Sequence, residues 1–173
     1  MKVKDVMTGD GLKSCNPETK LANAAKIMKD NNHGALPVVD KDQKVVGIIT
    51  DRDICLSVAS KNGKSTGELT VKEVLPKAKI RTVKAEDKVS DALKEMRKNK
   101  IGRLPVIDKS GKLQGMVSIN SILSRAIKKN EEIGRLKSKD ENLAKTIKAL
   151  FDRNSAKGAK IKKAELQVEA SAD

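Results

Sequence analysis

Apolar and polar residues follow two different periods along this chain, and the order of the periods predicts its elements. A helix is predicted over about residues 19–31, where an apolar stripe has helical spacing at Leu21, Ala24, Ala25 and Met28. Strands are predicted at 35–40 and 45–49, the second of them continuously apolar, and another helix runs from 51 to about 59. The order helix, strand, strand, helix predicts one small mixed unit.

The same unit occurs a second time. Residues 3–57 align with residues 71–125 at an offset of 68, without a gap. The second copy predicts a helix over about 88–98, strands at 103–107 and 112–117, and a closing helix that begins at Ser118. Two copies of one supersecondary unit predict a pseudo-symmetric pair, here called the first and the second repeat.

Short strands are also predicted before each long helix, at 12–15 and 80–83. We predict the first repeat at 1–59, a linker at 60–70, the second repeat at 71–127 and a helical basic tail at 128–173, its end frayed. Within the tail, a spacing of three and then four joins Ile133, Leu136, Leu143, Ile147 and Leu150, with Asp140 at the one position that is not apolar. This spacing is typical either of a short coiled coil or of a helix packed on its own domain.

The turn from the strand at 45–49 into the next helix carries the candidate chemistry. Thr50 occupies the predicted N-cap and Asp53 follows three residues later, so both side chains face the open end of the helix. A helix N-terminus presents unpaired N–H groups to an anion, and a carboxylate can accept hydrogen bonds from a sugar diol. The alternative is that Thr50 and Asp53 form a capping box and nothing more.

The net charge of +14 is unevenly distributed. The first repeat, counted over 3–57, has 8 basic and 8 acidic residues, whereas the second, over 71–125, has 14 and 6. Such an excess indicates either a solvated, soluble surface or an anionic partner, which could be a polyphosphate, a nucleic acid or an acidic protein. Phe151 is the only aromatic residue, which argues against a surface that stacks single-stranded bases.

Several classes of function find no support in the sequence. Cys15 and Cys55 form neither a metal-binding spacing nor a disulfide framework, and they predict reduced thiols in a cytoplasmic protein. We find no apolar run of about 18 residues, no signal segment and no pairing of a nucleophile with a base. His33, the single histidine, is interpreted as a helix cap or a cleft-lining residue. We therefore expect a protein that is not an enzyme and does not enter a membrane.

Paired motifs recur in both copies. In the first they are Val6-Met7, Asn16-Pro17, residues 33–40 and residues 47–53; in the second they are Val74-Leu75, residues 101–108 and residues 115–118. On these motifs the chain resembles the tandem CBS-domain pair, or Bateman module, over residues 3–125. The resemblance implies an α+β fold of two pseudo-symmetric β-α-β-β-α units with two clefts between them. It also implies a homodimer formed through the helices.

The family resemblance implies an adenosine-containing ligand: AMP, ADP or ATP foremost, with S-adenosylmethionine or NAD also possible. At the first site, Asp53 would bind the ribose and Thr50 the phosphate, with Arg52 as a forked donor beside them. The base would be flanked by Ser14, Cys15, Asn16 and Pro17 on one side and by Gly34, Ala35, Leu36 and Pro37 on the other.

At the second site, the corresponding residues are Arg103, Leu104, Pro105, Ser118 and Ser121. Ser121 stands where the family pattern has an Asp or Asn, which weakens the case for a nucleoside there. Arg103 has basic neighbours in the sequence at Arg81, Arg97, Lys98 and Lys100. The hypothesis is that this cleft accepts phosphate; the alternative is that Arg103 faces solvent or a carboxylate of a partner subunit.

Two main functions compete at this stage. One is a regulatory sensor of an adenine nucleotide that signals through a homodimer or an effector protein. The other is a basic interaction module that binds nucleic acid or an acidic protein through the second repeat and the tail. A third possibility, in which the tail is an assembly element and the clefts stay empty, also remains open.

Overall fold

The fold is known from a computed structural model, which describes residues 1–60, 65–76 and 79–133. Its elements, in chain order, are a 3₁₀ turn at Val3–Asp5, α1 Leu21–Asp30, β1 Ala35–Val39, β2 Val45–Thr50, α2 Asp51–Ser60, α3 Val71–Val74, β3 Val83–Lys84, α4 Val89–Asn99, β4 Arg103–Ile107, β5 Leu113–Ser118 and α5 Ile119–Ile133. Apart from the short strands predicted before the long helices, the predicted succession of helices and strands is confirmed in both repeats, with boundaries shifted by at most two residues.

The strands form two small sheets. In the first repeat β1 pairs with β2 antiparallel, and in the second β4 pairs with β5 antiparallel while β3 joins β4 in parallel. Ala35 lies opposite Thr50, and Arg103 lies opposite Ser118, so the register is conserved through the offset of 68. Each hairpin therefore ends beside the start of the helix that follows it.

The short strand predicted at 12–15 was wrong. Only Cys15 pairs with the sheet, through a parallel bridge to Val38. The chain turns away immediately afterwards, because the Asn16 side chain accepts a hydrogen bond from the Glu18 N–H and Pro17 follows it. The strand predicted at 80–83 forms as Val83–Lys84 instead, which leaves residues 80 and 81 outside the sheet.

Each repeat contributes its leading segment to the other repeat. Val3 and Val6 pack in the core of the second repeat, against residues that include Leu104 and Val117. Leu69 and Val71 pack in the core of the first repeat. All but Val6 of these residues are fully buried. Since apolar burial drives folding, this exchange makes each core depend on the leading segment of the other repeat.

Backbone hydrogen bonds hold the exchanged segments in place. The Val3 N–H donates to the Asp87 carbonyl over 2.9 Å, and the equivalent Val71 N–H donates to the Thr19 carbonyl over 2.9 Å. The α3 helix, which the sequence pattern did not predict, begins here with a capping box between Thr70 and Glu73. The two halves are thus joined by the same contact made twice.

Contacts at the hairpin turns join the two sheets as well. The Val45 N–H donates to the Gly111 carbonyl, and the Leu113 N–H donates to the Gln43 carbonyl, both over 3.1 Å. The turn of one hairpin therefore pairs with the turn of the other. At the opposite end, the starts of α2 and α5 face the space between the repeats.

The predicted tail can be followed only to the end of α5. Residues 134–173, which include most of the predicted heptad spacing, lie outside the described residues, so that prediction stays open. Within the described part of the chain, every helix is too short or too polar to span a lipid bilayer.

Candidate functional site

The turn between β2 and α2 has the geometry of a capping box. Thr50 donates from its N–H and from its hydroxyl to Asp53 Oδ2, over 2.9 and 2.6 Å, and the Asp53 N–H donates to Thr50 Oγ1 over 3.1 Å. Asp53 Oδ1 accepts no hydrogen bond from the described residues. One carboxylate oxygen therefore closes the helix, and the other remains free to accept from a ligand.

The equivalent turn between β5 and α5 repeats this geometry without a carboxylate. The Ser118 N–H donates to Ser121 Oγ, and the Ser121 N–H donates to Ser118 Oγ, both over 3.0 Å. Ser121 also donates its hydroxyl proton to the Ser118 carbonyl. Serine thus supplies the cap as aspartate does, but it leaves no free anionic acceptor.

Thr50 and Asp53 line a cavity of about 670 Å³ between the repeats, here called the first cleft. This volume lies within the usual range for small-molecule sites, about 300–1,000 Å³. The first repeat contributes Gly47, Ile48, Thr50, Arg52 and Asp53; the exchanged segment and the second repeat contribute Leu75, Pro76, Lys79, Ile80, Arg81, Asn99, Lys100, Ile101, Gly102 and Arg103. The cleft therefore combines an apolar wall with a dense group of charges.

The charges of the first cleft are mostly positive. Among the described residues, its lining has five basic side chains, from Arg52, Lys79, Arg81, Lys100 and Arg103, against the single carboxylate of Asp53. None of the five forms an ion pair within the described part of the chain. Unpaired cations around a concave surface focus a positive potential, which attracts anions such as phosphate.

A smaller cavity of about 170 Å³, here called the second cleft, is the pseudo-symmetric counterpart of the first. Its lining is Thr8, Leu12, Asn32, His33, Gly34, Ala35, Arg103, Met116, Ser118 and Asn120. At the positions that correspond to Lys79, Lys100, Arg52 and Arg103, this half of the molecule has the neutral residues Gly11, Asn32, Asn120 and Ala35. The second cleft is therefore smaller and has lost most of the positive charge.

The residues predicted to flank the base at Thr50 and Asp53 lie elsewhere. Ser14, Cys15, Asn16 and Pro17 line a separate groove of about 790 Å³, whose described lining belongs to the first repeat alone. Cys15 is buried there, and burial raises the pKa of its thiol to about 11, because the thiolate is poorly solvated. The structure does not bring this segment to the first cleft.

The remaining predicted residues divide between the clefts and the core. Gly34 and Ala35 line the second cleft rather than the first. Four others are fully buried inside the repeats, namely Leu36, Pro37, Leu104 and Pro105. Ser118 lines the second cleft, and Ser121 lines a neighbouring cavity of about 960 Å³ between α1, α2 and α5, here called the helix-face cavity. Arg97 and Lys98 are exposed on α4 and line neither cleft.

Arg103 lies between the two clefts and lines both of them. Its Nη2 atom would be 3.3 Å from a Cβ built on Gly34, so the guanidinium extends from the second repeat onto the first. Asp51 Oδ2 would be 3.4 Å from the same point, although no ion pair links the two side chains. Arg103 thus occupies space that would otherwise belong to the second cleft.

His33 also lines the second cleft, in agreement with one of its two interpretations. Its Nδ1 atom is buried and has no hydrogen-bond partner in the described part of the chain. Burial, and next the charge of Lys13, lower the pKa of the imidazole, which favours the neutral ring. Among the described residues no three potential metal ligands cluster around it or anywhere else.

The sequence patterns missed the second-repeat wall of the first cleft. Lys79, Ile80 and Lys100 face Asp53 across the repeat boundary, whereas the pattern-based site was built from the first repeat. The gapless alignment of the two repeats already gives Ile80 the same position as Leu12. That alignment does not show that each closing turn faces the lead-in segment of the opposite repeat, and this fact was needed to predict the wall.

The fold is a tandem module of two hairpin-and-helix repeats, with exchanged lead-in segments and a cleft at each closing turn. Comparison of its sequence with protein families identifies the family. The CBS domain model matches residues 3–60 and again residues 71–128. The chain belongs to the CBS domain family, and it contains two copies of the domain. The resemblance inferred from the repeated motifs is therefore confirmed.

Individual relatives agree with this assignment. A 17.7 kDa protein of Acidianus ambivalens is 40% identical over 111 residues, which are 64% of this chain and 64% of the relative. Inosine-5'-monophosphate dehydrogenase of Aquifex aeolicus is 34% identical over 125 residues, or 70% of this chain, but only 24% of that enzyme is covered. This chain thus spans less than two thirds of the length of either relative.

Solved structures support the fold. The CBS domain pair of protein MJ0100, in complex with 5'-methylthioadenosine and S-adenosyl-L-methionine, superposes with a TM-score of 0.65 at 28% sequence identity. The superposition covers 75% of this chain and 98% of the other. That pair binds adenosine compounds, and its likeness to this chain confirms the predicted α+β arrangement of two repeats.

Proposed function

We propose that this chain is a non-catalytic regulatory module that binds an adenosine-containing ligand, of the AMP, ADP or ATP class, in its first cleft. One observation carries the proposal: a single cavity of nucleotide size is lined by an apolar wall, a carboxylate oxygen and five cations, and neither that oxygen nor the cations have a partner among the residues that the structure describes. A nucleotide consists of an apolar base, a diol and an anion, and the cleft offers a partner for each. The bound adenosine compounds of the related domain pair add support.

Each part of the ligand has a suitable partner in this proposal. The base packs against aliphatic side chains, which the cleft provides at Ile48, Ile80 and Ile101. The ribose diol donates to Asp53 Oδ1, the oxygen that capping leaves free. The phosphate end lies among the basic side chains, where guanidinium groups can form paired hydrogen bonds.

Ligand binding would be signalled by a change in the association of one copy of the protein with another. Ligand contacts on both repeats would hold the halves together, which biases any interface that spans them. We propose a homodimer formed through the helices, whose exposed surface includes the half-exposed Leu56 on α2. Leu56→Lys should then shift the molar mass in solution towards the monomer, whereas a dimer that persists would place the interface elsewhere.

The proposal is tested by calorimetry and thermal unfolding with AMP, ADP, ATP, S-adenosylmethionine and NAD. A ligand at 100 times its Kd stabilises the folded state by about 2.7 kcal/mol, which raises Tm by about 5–10 °C in a chain of this size. The informative variant is Asp53→Ser, because Ser121 shows that serine preserves the cap. It should lower affinity about 10–100-fold while changing stability by less than about 1 kcal/mol.

Ser121→Asp is the matched control, since it makes the reverse exchange at the equivalent position outside the first cleft. We expect it to leave affinity unchanged. If none of the five compounds shifts Tm at millimolar concentration, the nucleotide proposal fails. If Asp53→Ser binds as tightly as the unaltered protein, a nucleotide site elsewhere must be sought.

A basic interaction module remains the second candidate, because the excess charge of the second repeat stays largely unpaired. Among the described basic residues of the second repeat, only Lys72 and Lys94 form ion pairs. Binding to a nucleic acid would weaken steeply with salt and would show no preference for sequence. Competition decides between the candidates: ATP at saturation should displace a polyanion only if both use the first cleft.

A further inference from the structure

Helices α1 and α4 are followed by the same backbone conformation, which is adopted by different residues in the two repeats. Lys100 follows α4 with φ at 53°, and Asn32 follows α1 with φ at 52°. The turn demands this left-handed conformation in both repeats, because the next N–H donates back into the helix: Ile101 to the Met96 carbonyl and His33 to the Met28 carbonyl. Left-handed φ is common for asparagine but unfavourable for lysine. Position 100 therefore carries strain that position 32 does not.

The strained residue belongs to the charged cleft. Lys100 lines the first cleft together with Lys79 and Arg81, and Asn32 lines the second. Strained backbone is often found at functional sites, where a particular side chain is needed in spite of its conformational cost. The molecule contains its own comparison, since asparagine, which tolerates this conformation, is present in the cleft that lacks most of the positive charge. Lys100 is thus better explained by a ligand than by the fold.

The charge of the first cleft limits which class of ligand it can bind well. Counted over the described residues, five basic side chains and one carboxylate give the first cleft a net charge of +4. A single phosphate carries roughly two negative charges, and each further phosphate adds roughly one more. A monophosphate therefore leaves about half of this charge unmatched, whereas a triphosphate matches it. The cationic sulfonium of S-adenosylmethionine would be repelled, because like charges in one site cost binding free energy.

We infer that the first cleft selects its ligand by the length of the phosphate chain, favouring two or more phosphates, and that Lys100 is a specificity-determining residue for that chain. This inference rests on the proposed nucleotide site. It divides the pseudo-symmetric clefts into one that binds a polyphosphate and one that does not.

The test is a series of adenosine, AMP, ADP and ATP, titrated by calorimetry at 0.15 M salt against the unaltered protein and Lys100→Asn. In the unaltered protein, affinity should rise at least tenfold from AMP to ATP. Lys100→Asn should lower ATP affinity by about tenfold or more while changing AMP affinity less than threefold. Because asparagine tolerates left-handed φ, the same variant should raise the Tm of the ligand-free protein by about 2–4 °C.

Lys98→Asn is the matched control, since it makes the same exchange two residues earlier, on α4, at a side chain that does not line the cleft. It should change ATP affinity less than threefold and should not raise Tm. Equal affinities for AMP and ATP, or an equal loss of both in Lys100→Asn, would overturn the inference and leave the nucleotide site standing. Absence of binding by all four compounds would overturn both.

Discussion

Gly47 lies directly beneath Leu75, so closely that a Cβ atom at position 47 would be 2.7 Å from Leu75 Cδ2. Gly47 belongs to β2, and Leu75 belongs to the segment that the second repeat contributes to the first. The equivalent Gly115 faces Met7 and Thr8, with the Thr8 carbonyl oxygen 2.9 Å from where its Cβ would lie. Both glycines therefore allow an exchanged segment to contact the sheet.

The two glycines should respond differently to alanine. At Gly47 the obstacle is the end of a flexible side chain, which can move. At Gly115 it is a backbone oxygen that accepts a hydrogen bond from the Met116 N–H. We expect Gly47→Ala to cost about 1 kcal/mol and Gly115→Ala about 2–3 kcal/mol of unfolding free energy. Urea denaturation measures both, and equal costs would show that the side chain over Gly47 is as fixed as the backbone over Gly115.

Much of the fold is predictable because its signals are local. The strand at Arg103–Ile107 and the helix at Val89–Asn99 follow from apolar periodicity and from the glycine, Gly102, between them. Thr50 and Asp53 could likewise be singled out from a spacing of three at a helix start. Each of these patterns involves residues only a few positions apart, so it can be recognised without knowing how distant segments pack.

The pairing of the repeats is not a local property. Val3 is packed with the second repeat and Val71 with the first, yet the two residues have equivalent places in identical patterns. A gapless repeat cannot show whether a lead-in segment folds onto its own copy or onto the other. For this reason Ser14 and its neighbours were predicted beside Asp53, where the structure places Ile80 and Arg81.

The hairpin turns offer a test of backbone strain away from both clefts. Gln43 has φ at 63°, and its equivalent Gly111 has φ at 85°. Left-handed φ costs an ordinary residue about 1–2 kcal/mol, part of which glycine offsets by a larger loss of entropy on folding. We expect Gln43→Gly to stabilise the fold by about 0.5–1 kcal/mol, with Tm about 2–4 °C higher.

The reverse exchange, Gly111→Gln, is the control for the hairpin prediction. It should destabilise the fold by about 1 kcal/mol or more, because it places a side chain in the same unfavourable conformation. Thermal unfolding of the two single variants measures both effects. A loss of stability in Gln43→Gly would mean that contacts of the glutamine side chain outweigh the strain of its backbone.

The N-terminal segment should make the stability of this protein dependent on acid. Lys2 Nζ and Lys4 Nζ donate to the two carboxylate oxygens of Glu86 over 2.6 and 2.7 Å, and these hydrogen bonds lower the pKa of Glu86 from its ordinary 4.5 to about 2. A folded-state pKa below the unfolded one stabilises the folded state at pH values above 4.5. That contribution is lost as the pH falls from 4.5 towards 2. The hydrogen bonds of Lys2 and Lys4 to Glu86 thus join the exchanged N-terminal segment to the second repeat.

Glu86→Gln isolates this contribution, because it removes the titrating group and keeps the shape. The urea midpoint of the unaltered protein should exceed that of Glu86→Gln at pH 6, and the difference should shrink steadily between pH 4.5 and pH 2.5. Since the side chains of Lys2, Lys4 and Glu86 are exposed, 1 M NaCl should reduce the difference in urea midpoint at pH 6 as well. A difference that is independent of both pH and salt would assign the effect of the variant to lost packing rather than to the charge of Glu86.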